Sequence, residues 1–147
     1  MAKPLYFAYG SNMSVRDMRT RCPGGRLCCT AALEGFGFRI NRFGFATVVP
    51  RPGGTVFGAL WRLSPRDLRA LDAYEGVDEG HYMQDRFDVR LLVGGTARAL
   101  VYVATDAIPG APRRVYMRGI IEAARNLQLP APYLRELAGW EPRGPRP

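Results

Sequence analysis

LYFAYGSNM, residues 5–13, runs five apolar and aromatic residues into a glycine. Leu5–Tyr9 reads as a strand, because aromatic side chains suit a pleated half-buried surface and five residues are too few for a helix. Gly10 breaks it. Gly10-Ser11-Asn12 lets the backbone turn sharply and present successive N–H groups, and Ser14 with Asp17 three residues on has the pattern of a capping box that opens a helix. Free N–H groups between strand and helix suit an anion or a carbonyl oxygen. The same residues also fit an ordinary strand-to-helix turn.

Working outward, glycine and proline divide the next fifty residues into expected strands at Cys28–Leu33, Phe36–Asn41, Ala46–Val49 and Thr55–Leu63, with Arg51-Pro-Gly-Gly54 as punctuation. Ser64-Pro65-Arg66-Asp67 is a strong helix start: Ser64 caps, Pro65 occupies the first turn and Asp67 completes the box. That helix is expected to end at Tyr74, with Gly76 just beyond. Two further strands, Tyr82–Leu92 and Ala97–Ala104, are joined by Gly94-Gly95 as a tight hairpin. Arg113–Leu127 places Tyr116, Ile120, Ala123 and Leu127 on one helical face, and a short helix follows at Tyr133–Leu137. Strands form the body and helices cover it, which makes the fold α+β, with enough strands for a small, mostly antiparallel barrel. Residues 1–140 are expected to form one domain and 141–147, rich in proline and arginine, a disordered tail.

At 147 residues the chain can bury a core without disulfide staples. It carries no apolar run of membrane-spanning length and no signal-type N-terminus, so a cytoplasmic protein with no membrane partner is the default. Cys22, Cys28 and Cys29 contain no C-x-x-C pair, and His81 is the single histidine. No short-spaced ligand set exists, and no metal is expected. The net charge is +8, concentrated in residues 1–62 with nine basic and two acidic side chains. Almost all of it is arginine, which fits phosphate binding and equally a solvated surface.

The helix Ser64–Tyr74 runs out into Glu75. Leu68, Leu71, Asp72 and Glu75 fall at i, i+3, i+4 and i+7, so Glu75 shares the apolar face. A carboxylate there meets the negative end of the helix dipole and loses solvent beside leucines; both effects raise its pKa and make it a candidate general base or acid. A half-exposed glutamate closing a helix is the structural alternative.

YFAYGSNM, followed by TVFGALWRLS, LDAYEGV, Gly80-His81-Tyr82, the YVAT strand, and Tyr116 ahead of Leu129-Pro130-Ala131-Pro132-Tyr133, resembles the γ-glutamylcyclotransferases and their AIG2-like relatives over nearly the whole chain. The resemblance implies an enzyme with no cofactor. The α-amino nitrogen of a small-molecule γ-glutamyl substrate attacks its own γ-carbonyl, giving 5-oxoproline and a released amine or amino acid. It implies Glu75 as the proton shuttle, and a substrate cavity lined by Tyr6, Phe7, Ala8, Tyr9, Gly10, Ser11, Asn12, Tyr82 and Tyr116. Gly10 and Ser11 would offer backbone N–H groups to substrate oxygens, either the α-carboxylate or the oxyanion. Tyr82 and Tyr116 would orient Glu75 or the substrate. It also suggests a homodimer. One departure is Gln84, at a place where many bacterial relatives carry a basic residue. Substrate preference among γ-glutamyl amino acids, amines, antibiotic intermediates and glutathione stays open.

Two rival readings follow from the same residues. Asn41-Arg42-Phe43-Gly44-Phe45-Ala46-Thr47-Val48 resembles an aromatic RNA-binding strand, but it lacks the glycine between basic and aromatic residues and the further aromatic at its end. Phe43 and Phe45 also alternate as core residues of a strand would, so no specific nucleic-acid partner is expected. A catalytically silent partner-binding domain is the second rival, and retention of both YGSN and Glu75 argues against it.

Overall fold

A computed structural model of the chain describes residues 4–142. Among these, the strands β1 (Leu5–Ala8), β2 (Arg26–Ile40), β3 (Ala46–Arg62), β4 (Tyr82–Leu91) and β5 (Thr96–Ala104) close into a barrel in the order β1-β3-β2-β4-β5. Pairing is antiparallel except where β1 meets β5 in parallel at Tyr6↔Leu100. Around it lie α1 (Val15–Arg21), α2 (Pro65–Tyr74), α3 (Arg114–Asn126) and α4 (Ala131–Ala138). The chain thus forms the expected mixed α+β barrel flanked by helices. No helix among the described residues is long and apolar enough to cross a membrane.

Four expected strands are two long ones. The β2–β3 ladder passes from Glu34↔Thr55 to Phe36↔Pro50, stepping over Gly35 on one strand and residues 51–54 on the other. The punctuation is a bulge that bends the ladder without ending it, with Gly35 and Gly53 at positive φ of 84° and 76°. Arg51, on the bulge, reaches Glu136 of α4 at 3.1 Å. β3 also approaches β1 closely: a Cβ on Gly58 would overlap the Ala8 carbonyl, so this position tolerates no side chain.

The segment between β1 and α1 is a single 3-10 turn, Ser11–Met13. Ser14 then caps α1 by accepting from Asp17 N at 3.2 Å. At α2 the full capping box forms: Ser64 Oγ accepts from Asp67 N and Asp67 Oδ2 from Ser64 N. Asp67 Oδ1 also accepts from Gly24 N at 3.2 Å, which ties the start of α2 to the loop after α1. The core contains Phe7, Leu33, Ile40, Leu60, Leu100, Met117, Ile120 and Leu137, all fully buried. Glu141 N still donates to Ala138 O; of the expected tail, residues 143–147 lie outside the described residues.

Candidate active site

A cavity of about 760 Å³ opens at one end of the barrel, walled by the turn after β1, the end of α2, the start of β4, the end of β5, and the start of α3. Glu75 is its carboxylate. The backbone of Glu75 closes α2 by donating to Leu71 O at 2.8 Å, and Gly76 turns the chain away at φ 66°. Burial pushes the Glu75 carboxyl up to about 7, against the lowering influence of the Arg21 guanidinium.

Asn12 connects the two. Its amide nitrogen donates to Tyr6 Oη at 3.0 Å and reaches Glu75 Oε1 at 3.5 Å, while its oxygen accepts from Arg21 at 2.6 Å. Trp61 Nε1 donates to its carbonyl at 3.1 Å. Asn12 is almost fully buried, so every one of these bonds is made out of water, where leaving one unmade would be costly. The 3-10 turn spends the carbonyls of Gly10 and Ser11 on Met13 N and Ser14 N. Gly10 and Ser11 both line the cavity, and as the first residues of the turn their N–H groups have no partner within it. Gly10 sits at φ −116°, a value open to any residue. A Cβ there would meet the Ala46 methyl at 3.4 Å and Tyr116 Oη at 3.8 Å.

The tyrosines are bound to the frame. Tyr82 Oη donates to Ala46 O at 2.5 Å, and Tyr116 Oη accepts from Ala46 N at 3.1 Å, so the backbone of one residue fixes both rings. The Tyr82 proton is spent on this bond, whereas Tyr116 accepts and keeps its own. Tyr9 Oη donates to Tyr102 O at 2.5 Å and Tyr102 Oη to Asp72 at 2.5 Å, with Gln84 donating to the same Asp72 oxygen. Burial raises the pKa of all these phenols, Tyr116 to about 12. They stay protonated.

Of the expected cavity residues, Tyr6, Tyr9, Gly10, Ser11, Asn12, Glu75, Tyr82 and Tyr116 come together. Phe7 and Ala8 do not. Phe7 leaves the strand face opposite to Tyr6 and is fully buried in the core, and Ala8 is buried where Gly58 closely approaches its carbonyl. The expectation that Phe43 and Phe45 are core residues is also overturned. They lie in the turn between β2 and β3, are 62% and 49% exposed, and line the cavity mouth. Arg21 supports the site unannounced by any local pattern; Asp72, His81 and Tyr102 fall within quoted motifs, but no motif assigns the contacts that bring them here from distant elements.

The AIG2-like family pattern matches residues 55–137. A γ-glutamylcyclotransferase from Mus musculus is 31% identical over 94% of this chain and 79% of its own length, and one from Homo sapiens is 30% identical over the same shares. The chain belongs to the γ-glutamylcyclotransferase family. A solved structure described as a γ-glutamyl cyclotransferase superposes with a TM-score of 0.89 at 29% identity, covering 97% of this chain and 90% of that one. Membership of the γ-glutamylcyclotransferase family makes the protein a cyclising enzyme of that type, and the cavity just described is its candidate active site.

Proposed function

We propose that the protein cyclises a γ-glutamyl compound to 5-oxoproline and releases the attached amine, with Glu75 moving the proton. The observation that carries this reading is a partly buried carboxylate, held up to about 7, on the wall of a cavity that Gly10 and Ser11 also line. Glu75 takes a proton from the substrate's α-ammonium. The freed nitrogen attacks the γ-carbonyl carbon, forming the ring C–N bond; the amide C–N bond then breaks as Glu75 returns its proton to the leaving nitrogen, and the second proton shed by the ring nitrogen passes to the released amine, which departs as its ammonium. A base with pKa near the ambient pH serves both transfers, because neither direction is strongly uphill. Nucleophile and electrophile belong to one molecule, so folding the substrate into attack geometry supplies much of the acceleration.

Asn12 holds the Glu75 carboxylate, and Arg21 holds Asn12; both are positioning residues. The donors of Gly10 and Ser11 bind a substrate oxygen, and Tyr116, whose hydroxyl proton is uncommitted, offers a third donor nearby. Incubation of the purified protein with γ-glutamyl amino acids, γ-glutamyl amines and glutathione, with 5-oxoproline followed by mass spectrometry, tests the reading. Formation of 5-oxoproline from at least one compound, lost in Glu75→Gln, is the expected result. A folded protein that yields none from the whole panel overturns it.

A further inference from the structure

The turn Arg42–Phe45 is costly to keep as it is. Two large aromatic rings stand half or more in solvent, yet the turn that carries them is fastened at several points. The Asn41 side chain, nearly fully buried, accepts from Phe43 N and Phe45 N at 3.1 Å each and donates to Asp106 O at 3.0 Å. Arg42 adds an ion pair to Asp106 at 2.6 Å and lies over the Phe43 ring at 5.1 Å. Phe45 meets Tyr116 edge to face at 5.7 Å. The rings are therefore held in fixed positions at the mouth of the cavity whose floor carries Glu75.

Formal charge on the cavity lining has one sign. Glu75, Glu79 and Asp106 line the cavity together with His81 and Thr105, and among the described lining residues none is lysine or arginine. Two guanidinium groups bonded to lining residues are committed, Arg42 to Asp106 and Arg21 to Asn12. Gln84 makes its bond to Asp72 as a neutral amide. A carboxylate on the departing half of the substrate would meet aromatic faces and like charge with no cation to pair it.

We propose that Phe43 and Phe45 form the subsite for the leaving group, and that the preferred substrates are γ-glutamyl amides of apolar amines without a carboxylate, rather than γ-glutamyl amino acids or glutathione. This rests on the cyclotransferase reading and adds to it the chemical class of the group released. The bond broken is the amide between the γ-carbonyl and that amine, and the proton it takes comes from Glu75.

Three probes separate the parts: γ-glutamylphenethylamide, γ-glutamylmethylamide, which lacks the ring, and γ-glutamylphenylalanine, which differs from the first by its carboxylate. The expected kcat/KM for the phenethylamide exceeds that for the methylamide by roughly tenfold, the scale of one aromatic contact in a pocket. It also exceeds that for γ-glutamylphenylalanine, by a margin that narrows as salt screens the carboxylates. Phe43→Ala, which removes a ring remote from Tyr116, is expected to bring the phenethyl-to-methyl ratio down severalfold, and Phe45→Ala to do the same. An unmoved ratio in both variants, or γ-glutamylphenylalanine processed as well as the phenethylamide, overturns the proposal. Should no probe release 5-oxoproline, calorimetric dissociation constants for the same three compounds decide separately. A phenethyl preference lost in Phe43→Ala upholds the subsite while the cyclisation reading falls, and the absence of any preference overturns both.

Discussion

Burial and Arg21 pull the Glu75 carboxyl in opposite directions, and burial prevails, leaving it near 7. Three consequences belong to single residues. Glu75→Gln keeps size and polarity but cannot carry the proton, so turnover is expected to fall about 10²–10⁴-fold. The same variant has a signature in stability. A carboxyl whose folded pKa lies above its unfolded value binds more protons folded than unfolded between about 4.5 and 7, so wild-type stability falls across that window as pH rises. Glu75→Gln is spared the penalty and should be the more stable protein above pH 7 by on the order of 2–3 kcal/mol, with the difference vanishing below pH 4.5 in urea titrations. Arg21→Met removes the cation that lowers Glu75 and releases Asn12; the acid limb of the kcat/KM profile is expected to move to higher pH, which loss of packing alone would leave in place. Gly10→Val fills the space beside Ala46 and Tyr116 while φ permits the residue. It should melt close to wild type and lose 5-oxoproline binding, and normal binding in that variant would show that the loop holds no ligand.

At the scale of elements, α2 exists to deliver Glu75, and its start was readable because capping chemistry is local. Ser64, Pro65, Asp67 and Gly76 all take their expected places. The tie from Asp67 to Gly24 was not readable, since it joins residues 43 apart. Asp67→Ala breaks the capping box and strands the Gly24 N–H, and the expected loss is about 2–3 kcal/mol, measured by chemical denaturation; a change under 0.5 kcal/mol would mean that α2 is held by packing alone. The long strands were misread for a related reason. Gly35 and the 51–54 bulge look like strand ends in sequence, and only the resumption of the ladder at Phe36↔Pro50 shows otherwise. Phe43 and Phe45 mislead in the opposite sense. Their spacing mimics a pleated core strand, but Asn41 converts the segment into a turn by capturing two of its N–H groups, and a turn carries its side chains outward.

For the molecule as a whole, the cavity and the net charge point to different partners. The protein is +8 overall, yet the lining of its cavity is acidic where it is charged at all, and the arginines beside it, Arg21 and Arg42, are spent on Asn12 and Asp106. Polyanions should therefore be attracted weakly and everywhere, without a docking point. The exposure of Phe43 and Phe45 sharpens this expectation into a test, because solvent-facing aromatics near arginine are also what a single-stranded RNA platform requires. Such platforms set their rings on an open sheet face, with room for bases to stack in succession. Here the rings sit on a turn at the rim of a closed cavity, one against Arg42 and the other against Tyr116. Binding of a labelled single-stranded RNA, followed by fluorescence anisotropy, is expected to be weak at about 50 mM salt and to disappear by about 200 mM, as counterion release dictates for contacts made to phosphate alone. Phe43→Ala should leave that residual binding unchanged. Affinity that survives high salt and is lost in Phe43→Ala would assign the turn to nucleic acid instead, and the leaving-group subsite would have to be sought among Glu79, His81 and Thr105.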